Sequence, residues 1–150
     1  SATKMNPITS QEMRGANEAP RIYFNKIADE RGNLFVAEVA KQLPFAIQRV
    51  LFINHVPANA TRGGHAHLQC SEVVVPICGS FVVTLDDGTQ RCDYVLNRPQ
   101  QGLLIEKGMW SQLSHFSTDA ICLVLAEDLY NTNGYINDYA DFKAYRQCFK

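Results

Sequence analysis

Arg62-Gly-Gly-His65-Ala-His67-Leu-Gln-Cys-Ser-Glu72-Val-Val-Val-Pro-Ile-Cys-Gly79 is the stretch on which the reading of this chain turns. Side chains alternate across a β-strand, so His65 and His67 point to the same face. Two imidazoles converging on one concave surface support two chemistries. They can hold a metal through neutral nitrogens, or they can divide general base and acid work near neutral pH. Gly63 and Gly64, just ahead of them, permit close backbone approach to a ligand.

Outward from this stretch the dominant signal is a series of short β-type segments. The spacing predicts strands over Ile22–Ile27, Asn33–Val39, Gln48–Val56, Ser71–Cys78, Ser80–Leu85, Arg91–Leu96, Gly102–Ile105, Trp110–Phe116 and Ala120–Ala126. Asp87-Gly88, between Phe81-Val-Val-Thr-Leu85 and Cys92-Asp-Tyr-Val-Leu96, predicts a hairpin, because Asp-Gly supplies the positive φ of a tight two-residue turn. The pattern is all-β, an antiparallel sandwich or barrel. Only 137–147 reads as a helix, with Tyr139, Phe142 and Tyr145 forming a packing stripe. Residues 1–20 read as a flexible N-terminal segment and 21–150 as a single domain.

Composition narrows the function classes. At 150 residues and 46% hydrophobic content the chain can bury one core. A formal net charge of −1, with no long Lys/Arg block, gives no footprint for nucleic acid or an anionic membrane. No apolar run approaches the roughly 20 residues that span a bilayer, and the opening Ser-Ala-Thr-Lys-Met-Asn is polar, unlike a signal peptide. Five cysteines, an odd number without a CxxC pair, fit a reducing, cytoplasmic setting.

On the β framework, His-x-His, four residues, Glu, six residues, Gly resembles the first metal-site motif of the cupin superfamily. That resemblance implies a small RmlC-like jelly roll with its active site in the barrel mouth. Glu72 could complete a facial triad with His65 and His67, an arrangement suited to Fe(II) or Mn(II). The second motif departs from the pattern: in Gly102-Leu-Leu-Ile-Glu-Lys-Gly-Met-Trp110-Ser111, Ser111 stands where the fourth ligand is expected, and His115 lies too far along. The metal-free alternative therefore leads, with no cofactor.

A narrower resemblance runs from about Arg31 to Tyr145. Arg31-Gly-Asn-Leu34, Pro44-Phe-Ala-Ile-Gln-Arg-Val50, Arg62-Gly-Gly-His-Ala-His67, Leu85-Asp-Asp-Gly88, Leu96-Asn-Arg-Pro99, Gly102-Leu-Leu-Ile105, Met109-Trp110, Phe116-Ser117 and Leu123-Val-Leu-Ala126 occur in order. In these the chain resembles the dTDP-4-keto-6-deoxyglucose 3,4-ketoisomerases, the metal-free cupins of deoxysugar biosynthesis that include the WxcM-like domains. The resemblance implies an isomerase, an intramolecular oxidoreductase exchanging keto and hydroxyl groups on a dTDP-linked 4-keto-6-deoxyhexose. It implies a role in deoxysugar or lipopolysaccharide O-antigen synthesis, and a homodimer with exchanged N-terminal strands, Arg21 to Val39 being the segment expected to cross. His65 becomes the carbon base and reprotonating acid, with His67 as its partner at the oxygens.

Arg62, Gly64, Glu72, Trp110 and Ser111 are the candidate substrate-binding residues. Two departures bear on them: the family usually carries Lys where this chain has Leu68, and often His where it has Ser111. Arg62, whose guanidinium can meet phosphate oxygens in a bidentate way, is the candidate for the diphosphate. Each has a bland alternative. Arg62 can be an exposed turn residue, Glu72 a strand carboxylate bonded to a nearby backbone group or histidine, and Trp110 a core residue rather than a platform for thymine. Tyr94, Tyr130 and Tyr135 are undecided, His55 and His115 read as structural or exposed, and Glu106-Lys107 as a solvated turn. Two other functions remain open: a catalytically idle sugar-nucleotide-binding cupin and a metal-dependent oxygenase.

Overall fold

The protein was analysed as a computed structural model that describes residues 13–149. Alternation organises the strands. In β4 (Arg49–Asn54), Arg49, Leu51 and Ile53 face inward, while Val50 and Phe52 stay exposed. The preceding strands are β1 (Arg21–Tyr23), β2 (Asn25–Asp29) and β3 (Gly32–Val36). After β4 come β5 (Arg62–His67), β6 (Glu72–Cys78), β7 (Phe81–Asp86), β8 (Arg91–Leu96), β9 (Gln101–Ile105), β10 (Trp110–Ser114), β11 (Ile121–Ala126) and β12 (Tyr135–Ile136). One helix, α1 (Tyr139–Gln147), closes the described chain.

Two antiparallel five-stranded sheets face each other, one in the order β1-β9-β6-β11-β4 and the other β12-β5-β10-β7-β8. This is the jelly-roll arrangement the cupin resemblance implies. Val74, Val83, Leu85, Leu103, Ile105 and Val124 fill the space between the sheets. The run Glu72-Val-Val-Val is apolar on successive residues because β6 is covered on both sides. Val74 joins the inter-sheet core, whereas Val73 and Val75 pack outward under Phe24, Leu43 and Phe45. On the outer face of the second sheet, α1 seats Phe142 against Ala66 and Trp110. Asp138 caps the helix by accepting from the Asp141 N–H at 2.9 Å. A nine-residue helix is marginal alone, and burial of a side chain such as Phe142 supplies about 1.5–3 kcal/mol.

The structure corrects several expectations. The expected strand Ile22–Ile27 breaks at Phe24, which turns into the outer core; β1 then joins β9, and β2 pairs with β3 in a two-stranded arm. Of the segment expected to be flexible, residues 1–12 lie outside the described residues, but 13–20 pack on the domain. The Ala16 N–H donates to Asp87 at 2.7 Å, and the Tyr94 hydroxyl donates to the Ala16 carbonyl at 2.6 Å. Tyr94 is thereby a core residue. The hairpin forms, but only Gly88 takes the positive φ, at 90°, while the Asp87 carboxylate accepts from the Thr89 and Gln90 N–H groups. Lys107 is buried rather than solvated, and Glu106 pairs with Arg14 at 2.5 Å. Burial pushes the Cys122 thiol up to about 12, so this cysteine packs as a small hydrophobe. Among the described residues no helix is long and apolar enough to cross a membrane.

Candidate active site

β5 places the histidine pair. It runs antiparallel to β10, with Ala66 opposite Trp110 and His65 opposite Ser111. Beyond that pair the register slips, because Gln112 faces Gly63 and Gly64 has no partner across the ladder. Gly64 is a β-bulge residue with φ 78°, a backbone conformation in which a side chain is strained. In a regular strand Arg62 and His65, three residues apart, would face opposite sides. The bulge brings Arg62 opposite Leu113, on the same side as His65.

The facing sheet supplies the other half. Arg49 of β4 pairs with Ala126 of β11, and Ala126 pairs with Glu72 of β6, so these three residues share one row. The two sheets enclose a cavity of about 370 Å³ that Arg49, Arg62, His65, His67, Glu72 and Ser111 line, together with Tyr130, Tyr135 and an apolar floor. The imidazole centroids of His65 and His67 lie 4.9 Å apart, edge to face. Tyr135, opposite His67 in the β12–β5 ladder, sets its ring 4.4 Å from His67 and 5.0 Å from His65.

The two histidines differ in surroundings. His67 Nε2 lies 3.1 Å from Glu72 Oε1, with both side chains buried. A carboxylate only accepts, so Nε2 carries the proton. Among the described residues His65 has no such carboxylate partner. Burial foremost, and the neighbouring His67 next, lower its pKa below the usual histidine value; Glu72 acts weakly in the opposite sense. His65 is thus a neutral imidazole at neutral pH, able to take a proton, and His67 is held by a carboxylate as an Nε2 donor. Arg49 lies beyond Glu72 with its guanidinium 3.9 Å from Oε2. Burial works against its charge, but Tyr135, Cys70 and Glu72 together outweigh that, and its pKa is raised. Two imidazoles so placed can take and give protons near neutral pH.

Among the described residues no three His, Cys, Asp or Glu side chains converge on one point; Glu72 is engaged with His67 and Arg49, and Ser111 stands across from His65.

Of the residues singled out from sequence, Arg62, His65, His67, Glu72 and Ser111 meet in the cavity. Gly64 does not line it but turns Arg62 toward it. Trp110 is a correction: the pleat that sends Ser111 inward sends Trp110 outward, where it packs on Phe142 and Tyr139. His55 and His115 are outside the cavity lining, and His115 instead meets the Ser114 hydroxyl at 2.9 Å. Arg49 was not singled out, although an arginine in phase with Leu51 and Ile53 is a signal. Tyr130 and Tyr135, undecided from sequence, both belong to the site.

Comparison with known proteins follows the same line. The family model described as FdtA: WxcM-like, C-terminal matches residues 18–147. A TDP-4-oxo-6-deoxy-alpha-D-glucose-3,4-oxoisomerase of Aneurinibacillus thermoaerophilus is 40% identical over 124 residues, covering 83% of this chain and 89% of that protein. A crystal structure of a 3,4-ketoisomerase from Helicobacter canadensis superposes with a TM-score of 0.84 at 38% identity, over 87% of this chain and 98% of that one. QdtA, a sugar 3,4-ketoisomerase from Thermoanaerobacterium thermosaccharolyticum solved in complex with TDP, superposes at 0.85 with 31% identity, over 87% and 95%.

Proposed function

Because the chain belongs to the FdtA family of WxcM-like, C-terminal domains and is a sugar 3,4-ketoisomerase, we propose that it moves the ketone of a dTDP-linked 4-keto-6-deoxyhexose from C4 to C3 by proton transfer between His65 and His67. The observation that carries the mechanism is the unequal pair on one strand face, a neutral His65 beside a carboxylate-held His67.

The steps balance without a redox partner. His65 takes the C3 proton, giving the C3–C4 enediol as its monoanion, and His67 accepts the C3 hydroxyl proton at Nδ1 and passes it to the C4 oxygen. The imidazolium of His65 then returns a proton to C4. The product is the 3-ketone with a hydroxyl at C4. Neutral imidazole suits the first act, since a base works when its pKa lies near or below the ambient pH. Arg62 meets the diphosphate at the cavity wall, and Ser111 and Glu72 border the sugar.

The same proposal has the enzyme act in the cytoplasm, in deoxysugar and O-antigen synthesis, as a homodimer. Among the described residues the arm of β2 and β3 pairs with no other strand and exposes Ile27 and Leu34, while edge strand β4 exposes Phe52, 75% accessible. Since β1 already pairs with β9 of its own chain, the segment offered for exchange is the arm, residues 25–36.

Incubation with dTDP-4-keto-6-deoxyglucose in D₂O, followed by NMR, tests the function. The expected product is a 3-keto sugar carrying deuterium at C4. Binding of the sugar nucleotide without any product would make the chain an idle binding cupin. Complete transfer of a C3 deuterium to C4 in H₂O that survives His67→Asn would replace the enediol route with a hydride shift.

A further inference from the structure

Resting on the reading of His67 as a proton-transfer residue, we propose that Arg49 is a positioning residue that acts through Glu72 on the tautomer of His67 rather than on the substrate. Arg49 and Glu72 lie two strands apart in one row, with Ala126 between them. Ladder spacing separates such residues by about 9–10 Å. Only a long side chain crosses that gap, and only a small residue in the middle leaves room. The guanidinium reaches over the fully buried Ala126 to within 3.9 Å of Glu72 Oε2, while Glu72 Oε1 meets His67 Nε2 at 3.1 Å. The array thus runs from the edge strand of one sheet to the histidine of the other.

Glu72 is the one carboxylate among the described residues lining the cavity, and it serves both partners. The charged or titratable groups around this pair are Arg49 and Arg62, with His65, Tyr130 and Tyr135 on the cavity wall and Cys70 and Asp128 lining the adjoining pocket behind. The two oxygens of Glu72 are divided between the two partners, Oε2 toward Arg49 and Oε1 toward His67. Arg49 thereby fixes the orientation of the carboxylate, which accepts from His67 Nε2 and leaves Nδ1 as the nitrogen free to accept and return protons.

The Arg49 Nε is buried and has no hydrogen-bond partner among the described residues, while Tyr135 beside the guanidinium supports its charge. The cation also lies over the Tyr130 ring, 5.7 Å from its centroid, which fixes its place without neutralising it.

The test compares Arg49→Met, Arg49→Lys and Ala126→Leu with the wild type. Ring ¹⁵N NMR of His67 should show the Nε2–H tautomer in the wild type and a shift toward Nδ1–H in Arg49→Met. Isomerisation should lose tenfold or more in kcat, with KM and TDP affinity within about twofold. Arg49→Lys should recover much of both readouts because it keeps the charge. Ala126→Leu should reproduce the Met variant with the arginine still present; if its melting temperature collapses, the Met and Lys pair decides alone. An unchanged tautomer with weakened TDP binding would overturn the proposal and make Arg49 a substrate clamp. An unchanged kcat would make it structural. A wild type that isomerises nothing would defeat the functional reading instead, while the tautomer measurement would still judge Arg49.

Discussion

The two faces of β5 do different work with the same backbone. His65 and His67 look into the cavity, beside Arg49, Arg62, Glu72 and Ser111. Ala66, between the two histidines, looks the other way, into a dry contact with Trp110 and Phe142. The partner strand repeats the division, with Ser111 inward and Trp110 outward. Alternation therefore separates chemistry from stability by a single residue, and neighbours in sequence should fail in unlike ways when changed.

The sharpest test is on the inner face. His65→Asn or His67→Asn should lower turnover by about 10²- to 10⁴-fold, the usual worth of a general acid or base. TDP affinity and melting temperature should stay near wild type, because asparagine keeps a polar shape but cannot cycle a proton. Retention of more than about a tenth of the rate would remove the pair from the chemistry.

On the outer face the effect should appear in stability alone. Trp110→Ala empties a packed site and should cost about 3–5 kcal/mol in denaturant unfolding, with kcat per folded molecule preserved. If TDP binding fell while stability held, the indole would belong to the site and the division between faces would be wrong.

Arg62→Ala returns to the cavity with a smaller expected loss. It should raise KM about tenfold, the equivalent of one hydrogen bond to a charged group, and leave kcat alone. A fall in kcat at unchanged KM would place Arg62 at the reacting atoms.

The smallest expected effect is on pH dependence. His65 has a folded pKa below its unfolded value of about 6.5, so the unfolded chain takes up the proton first. Stability should hold above that pH and decline as pH falls from about 6.5 toward the folded pKa. His65→Asn should remove this part of the decline. The acid limb of kcat/KM, which needs neutral His65, should likewise lie below the ordinary histidine value. A limb above 6.5 would reverse the assignment of base and acid.

Much of this was legible in the sequence, and the exceptions have physical causes. The histidine face and the hairpin depend on local periodicity, which sequence displays directly. Trp110 and Ser111 could not be assigned a side from their own segment, since that depends on pairing with a strand more than 40 residues away. Arg49 was hidden by its neighbours: outward Val50 and Phe52 are as apolar as inward Leu51 and Ile53, so the pattern does not say which face is the core. Phe24 ended a strand because it had a pocket among Leu43 and Phe45 to fill, a tertiary contact no window of 22–27 contains. Tyr135 reaches the site from a two-residue strand, too short to announce itself.

Position along β5 is counted in rungs of the ladder, not in residues. The unpaired Gly64 lets an odd separation behave as an even one, which makes the approach to the histidines asymmetric toward changes of length. A chain lacking Gly64 would keep Arg62 on the rung of Leu113 and on the cavity side, with an ordinary ladder in place of the kink. A chain with one residue more would have to store it in a wider bulge or roll the arginine out into solvent. Loops grafted ahead of His65 are therefore free to shorten by that one residue, but lengthening them changes the parity of the strand and, with it, whether the arginine faces the cavity.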